Sequence, residues 1–177
     1  MYNYIINQDR ELTVLLHNAM PHNGYFDSLF SFLSLQGASL FIWATLLLFL
    51  VLFEEKKHKR FVWHLSIAVI STFVLAEFLL KNIFERTRPT VLYLTFFTSC
   101  PTSFSFPSGH AAVAFAAATV FSRYDKKRIV FYYILAFLIS LSRIYLGCHY
   151  ITDVVGGAIV GIFIANLTFL LVLRKKK

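Results

Sequence analysis

Three short clusters of polar and charged residues stand at the edges of long apolar segments. They are Lys81 with Arg88-Pro89, then Pro107-Ser108-Gly109-His110, then Ser142-Arg143 followed by His149 and Asp153. A charge placed next to lipid is costly and needs a reason to be there. Two histidines, three cations, one carboxylate and a Ser-Gly turn are the groups required to move a phosphoryl group through a histidine.

Each cluster has a chemical reading and a plainer one. Ser108-Gly109-His110 opens a helix, where unpaired backbone N–H groups and a partial positive charge suit an anion. Gly109 lets a phosphate approach the backbone closely. The plainer reading is an ordinary helix start with an interfacial histidine. Lys81, Arg88 and Arg143 can clamp phosphate oxygens, the arginines as forks and the lysine as a compact charge. The plainer reading, cations snorkelling to headgroups, fits Arg86, which has no motif role. Glu77 lies one helical turn before Lys81 inside a span and needs a partner, so a supporting salt bridge to Lys81 is expected. His149 and Asp153 are four apart at a helix start and share a face. The carboxylate can then accept one ring N–H and leave the other nitrogen free to attack phosphorus; a capping Asp beside a structural His is the alternative. A metal could draw on His110, His149, Asp153, Cys100 and Cys148, but three cations crowd the same place, so no metal is expected. Cys100 and Cys148 fit a disulfide or two free thiols, and spacing does not choose between them.

The elements that must position these groups are membrane helices. Of the 177 residues, 58% are hydrophobic and 15% charged, with a mean hydropathy of +0.65. Soluble domains run nearer to 45–50% apolar and about 25% charged. The net charge of +8 would suggest nucleic acid in a soluble protein. Here the basic residues sit in short loops between apolar segments, and no nucleic-acid partner is expected. The expected fold is all-α: a polytopic membrane helical bundle forming a single domain over 1–177. It has an N-terminal amphipathic helix, 2–20, lying in the interface. Five spans follow at about 28–53, 61–83, 108–121, 129–145 and 151–173. Asp27 is a candidate cap for the first span. The third span is short and rich in alanine, which suits the middle of a bundle. The first residues lack a basic start followed by an apolar run, so no cleaved leader is expected.

Five spans put loops on alternating sides. Loops 54–60 and 123–128 and the C-terminus hold twelve of the 17 Lys and Arg residues, which makes that side cytoplasmic. Arg10, Lys81, Arg86, Arg88 and Arg143 fall on the other, outward side, and all three clusters fall there together. The stretch from Phe84 to Phe106 is long and aromatic, with Tyr93, Phe96, Phe97, Phe104 and Phe106. It suits either a lateral entry for a lipid headgroup or interface anchoring.

The combined pattern is Lys-x6-Arg-Pro, Pro-Ser-Gly-His and Ser-Arg-x5-His-x3-Asp. It resembles the type 2 phosphatidic acid phosphatase superfamily in its membrane-embedded lipid phosphatase branch. The resemblance covers roughly residues 25–173, and every motif position is met. It implies that His149 is the nucleophile, Asp153 orients it and His110 protonates the leaving oxygen. It implies that Lys81, Arg88, Arg143, Ser108 and the Gly109 N–H hold phosphate, with Glu77 and Arg86 in support. It implies no metal and no other cofactor, a membrane lipid phosphate as substrate, and a multi-pass place in the bacterial inner (cytoplasmic) membrane with the site facing outward. Undecaprenyl pyrophosphate, phosphatidylglycerophosphate and lipid A 1-phosphatases are all similar, so the lipid stays open. The rival function is a non-catalytic lipid-phosphate binding or transport protein, which would not need an intact His-Asp signature.

Overall fold

The computed structural model describes residues 2–34, 43, 59–89 and 100–174. Among the described residues there are six main helices and no β-strand. Helix α1 is Tyr2–Ala19 and α2 is Gly24–Ser34. Helix α3 starts as Lys59–Val74, passes through a wide π-helical turn at Leu75–Leu80 and ends with Lys81–Phe84. Helix α4 is Gly109–Tyr124. A tight turn at Lys126–Arg128 leads into α5, Ile129–Tyr145, and α6 is Ile151–Arg174.

The helix starts follow from local chemistry. Ser108 caps α4 by accepting from the Ala111 N–H at 3.4 Å. That helix therefore begins one residue later than expected, and it runs on to Tyr124. The cap of α2 is Asn23, not Asp27: its Oδ1 accepts from the N–H groups of Tyr25 and Phe26, both at 3.1 Å. Asp27 sits inside the first turn and instead accepts from the Tyr145 hydroxyl at 2.5 Å. The expected first span, 28–53, lies outside the described residues beyond Ser34, apart from Trp43.

Three segments are long and apolar enough to cross a membrane: Arg60–Phe84, Lys126–Tyr145 and Ile151–Leu171. Their outer faces carry exposed Trp63, Ile70, Phe78, Val130, Ile159 and Phe163, which is the surface a bilayer favours. Helix α4 is shorter and lies in the centre, packed against α3, α5 and α6. Its alanines make this possible. Ala111, Ala112, Ala114, Ala116, Ala117 and Ala118 are fully buried. On α6, a side chain at Gly157 would come within 2.5 Å of the Ser108 carbonyl oxygen, and one at Gly161 would overlap the Ala112 carbonyl. The two backbones are therefore in direct contact, as small-residue faces permit. The contact locks the start of α4 onto the start of α6, where the Ser108 N–H also donates to the Asp153 carbonyl at 3.0 Å.

Candidate active site

The C-terminal ends of α3 and α5 and the N-terminal ends of α4 and α6 come together. His149 lies in the turn between α5 and α6. Gly147 makes that turn, at φ 66°, in the left-handed region that favours glycine. The chain then folds back, so that the N–H groups of Cys148 and His149 both donate to the Arg143 carbonyl, at 3.0 and 3.2 Å. One local closure thus places His149 beside Arg143.

The two ring nitrogens of His149 face different partners. Nε2 is 2.9 Å from an Arg88 Nη1 donor. An arginine can only donate, so Nε2 carries the lone pair and Nδ1 carries the hydrogen. Nδ1 lies 3.4 Å from Asp153 Oδ2 and 3.4 Å from Ser105 Oγ. Ser105 is fully buried and donates its own hydrogen to the same carboxylate oxygen. Asp153 Oδ2 also accepts from the Tyr150 N–H at 2.9 Å, and Oδ1 accepts from Arg86 Nη1 at 2.7 Å. Burial, with Arg88, Arg143 and Lys81 nearby, holds the His149 imidazole well below the usual histidine range. At neutral pH it is therefore uncharged, the form that can attack an electrophile.

Three cations act on this ring. Lys81 is buried at the last turn of α3, where its Nζ donates to Glu77 Oε2 at 2.8 Å and to Ser103 Oγ at 3.1 Å. The π-helical turn precedes it directly: the Lys81 N–H bonds to the Ala76 carbonyl, five residues back. Such turns often mark functional positions. Arg88 fastens the 100–108 loop to the α5–α6 turn through the Ser103, Phe104 and Cys148 carbonyls, at 2.7, 3.1 and 2.8 Å. Arg143 is buried, reaches the Ser34 carbonyl at 3.3 Å, and its Nε has no partner among the described residues. Gly109 is buried against Glu77, and a side chain there would overlap the Glu77 carboxylate. His110 follows on the first turn of α4, and its ring makes no hydrogen bond among the described residues. It feels the charges of Arg143, Lys81 and Arg88. Cys100 and Cys148 are joined, with Cα atoms 5.4 Å apart, tying the loop to the residue next to His149.

All the motif residues expected from the sequence lie at this one end of the bundle. Arg86 does more than snorkel. Besides Asp153, it bonds Asp9 Oδ2 at 2.6 Å and Thr152 Oγ1 at 2.7 Å, and its guanidinium stacks 4.0 Å over the Tyr150 ring. Sequence reasoning missed Ser103, Ser105, Asp9 and Thr152. Ser105 stands two residues before the Pro-Ser-Gly-His run, which is the only signal it gave. Of the aromatic stretch, Tyr93, Phe96 and Phe97 lie outside the described residues. Phe106 packs inward, 4.8 Å from Phe84, and against Gly156.

A family model described as the PAP2 superfamily matches residues 61–177. Phosphatidylglycerophosphatase B of Bacillus subtilis (strain 168) is 34% identical over 111 residues, covering 56% of this chain. The match spans only about half, 53%, of that relative's length. Undecaprenyl-diphosphatase BcrC of the same organism is 29% identical over 161 residues, covering 90% of this chain and 81% of that one. The crystal structure of Aquifex aeolicus LpxE superposes with a TM-score of 0.66 at 32% identity, covering 90% of this chain and 93% of the other.

Proposed function

The chain belongs to the PAP2 superfamily, and on that premise we propose that it is a lipid phosphate phosphatase working through a phosphohistidine, without a metal. One observation carries the reading. His149 presents an unprotonated Nε2 toward Arg88, while Asp153 and Ser105 hold its other face. The lipid phosphate takes up the space among Lys81, Arg88 and Arg143, joined by Ser108 and the Gly109 N–H at the start of α4. Arg88 turns from Nε2 to a phosphate oxygen, Nε2 attacks phosphorus, the bond to the lipid oxygen breaks, and His110, protonated once the anionic phosphate is bound, gives that oxygen a proton. Positive charge grows on the imidazole, and the Asp153 carboxylate stabilises it. Water then gives a proton to His110 and attacks phosphorus, the P–N bond breaks, phosphate leaves, and both histidines are restored.

The donor groups support a reaction without a metal. Asp153 spends both oxygens on Arg86, Ser105 and the Tyr150 N–H, and the two cysteines are bonded to each other.

The reading extends to place and substrate. A single domain crosses the bacterial inner membrane five times, with α1 in the interface. The basic loops 54–60 and 123–128 and the C-terminus are cytoplasmic, so the site faces outward. The relatives' names support envelope lipid phosphates as the substrate class, with undecaprenyl pyrophosphate and phosphatidylglycerophosphate foremost and lipid A 1-phosphate third. The test is phosphate release from these lipids in detergent by wild-type protein and by His149→Ala. The variant is expected to stay folded, release no phosphate and trap no acid-labile phosphoenzyme. Substantial turnover by His149→Ala would sink the mechanism.

A further inference from the structure

The N-terminal helix has its polar stripe turned the wrong way for a simple anchor. Asp9, Thr13 and His17 recur every four residues and are buried against the protein, while Leu12, Leu15 and Leu16 are exposed. We propose that Asp9 is a positioning residue for the His149–Asp153 pair, acting through Arg86. This rests on the phosphatase reading above.

The contacts form a closed chain. Asp9 Oδ2 accepts from Arg86 Nη2 at 2.6 Å and from Thr152 Oγ1 at 2.5 Å. Arg86 Nη1 reaches Asp153 Oδ1 at 2.7 Å. Asp9 Oδ1 accepts from the Thr152 N–H at 3.2 Å. The Asp9 carbonyl accepts from Thr13 Oγ1 at 2.6 Å, and that oxygen accepts from the Ile151 N–H at 3.1 Å. Helix α6 therefore has its first two N–H groups capped from α1, by residues 138 and 143 positions earlier in the chain. A helix start normally finds such partners in its own flanking residues.

The chemistry explains why a carboxylate is used. Arg86 sits between two buried acids, and its fork is fixed only when both of its ends are held. Asp9 fixes the far end, so Nη1 can be aimed at Asp153 Oδ1. That leaves Asp153 Oδ2 turned toward Ser105 and His149. A displaced carboxylate would change the support given to the imidazolium in the transition state more than it would change lipid binding. Asp9 lies before residue 61, where the family match begins.

The test uses the full chain in detergent, with phosphatidylglycerophosphate and undecaprenyl pyrophosphate as probes. Asp9→Ala is expected to lower kcat about tenfold with KM within about twofold, the signature of an interaction needed mainly in the transition state. Asp9→Asn keeps the shape and an acceptor for the Thr152 N–H, and it should lose less; it stands in if the alanine variant does not fold. Because Asp9 acts through Arg86, the double variant Asp9→Ala/Arg86→Ala should match Arg86→Ala alone, within about twofold. A wild-type kcat in both Asp9 variants, a change confined to KM, or defects that multiply in the double variant would overturn the proposal. If wild type hydrolyses neither lipid nor lipid A 1-phosphate, the phosphatase reading itself fails and this proposal falls with it.

Discussion

Adding one methyl group at Gly109 tests how the Glu77–Lys81 pair, part of the proposed phosphate clamp, is held together. A Cβ there would overlap Glu77 Oε1 and come within 3.1 Å of the Glu77 carboxyl carbon. Backbone contacts fix α4 against α6, so the Glu77 side chain must give way. Moving its carboxylate removes the 2.8 Å bond to Lys81 Nζ. Lys81 is buried and would keep only Ser103. Breaking a fully buried pair costs about 3–5 kcal/mol. Glu77 is a quarter exposed, and water there reduces the figure to about 1–3 kcal/mol. Carried into binding and transition state alike, that is about a 5- to 150-fold loss in kcat/KM. The assay is phosphate release from a detergent-dispersed lipid phosphate. Gly109→Ala and Glu77→Gln should give losses of similar size, because both act on the same contact, and the pair together should be no worse than either. Wild-type kcat/KM in Gly109→Ala would refute this account. So would a loss far beyond that of Glu77→Gln, which would point to a direct effect on the phosphate at the Gly109 N–H.

Ser105→Ala removes a charge-assisted bond to Asp153 and should lower kcat about tenfold with little change in KM, measured in the same assay. His149 should stay neutral below pH 6.5, because burial and three cations disfavour its charged form; ring-labelled NMR would show this, and Arg88→Gln should raise the titration point. Changing both Cys100 and Cys148 to Ser opens a bridge between residues 48 apart. It should cost about 2–4 kcal/mol and lower Tm by about 5–10 °C, read by thermal unfolding in detergent. Turnover should persist in excess chelator; its complete loss would favour a metal reaction.

The parts of the site that could be read from the chain are those with short, fixed spacing. His149 and Asp153 are one helical turn apart, and so are Glu77 and Lys81, so period alone pairs them. Charge placement grouped the three clusters, since Arg60, Arg123, Lys126, Lys127 and Arg128 lie at the other ends of the apolar segments. What could not be read depends on distance through space. Nothing near Asp9 announces that it meets Thr152 and Arg86, and a lone acid on a mixed helix reads as solvated. Ser105 is one loop serine among several until the loop is folded against Asp153. Asp27 looked like a cap because capping residues and first-turn acids share the same alphabet, and only the Tyr145 hydroxyl separates the two roles. Among the described residues, the helices expected at 61–83, 108–121, 129–145 and 151–173 were legible to within a few residues because their apolar runs end in charge, glycine or proline.

The wide turn at Leu75–Leu80 makes α3 unequal in its response to a change in chain length. A wide turn of this kind takes up one residue more than an ordinary helix needs over the same advance. Deleting one residue between Leu75 and Leu80 would heal the ladder and leave Lys81 near its present place. Deleting one between Arg60 and Val74 would turn the stretch between the cut and the wide turn by about 100°, carrying its bundle-facing residues toward lipid. The slack in this helix is stored next to Lys81, and the rest of its length is counted residue by residue.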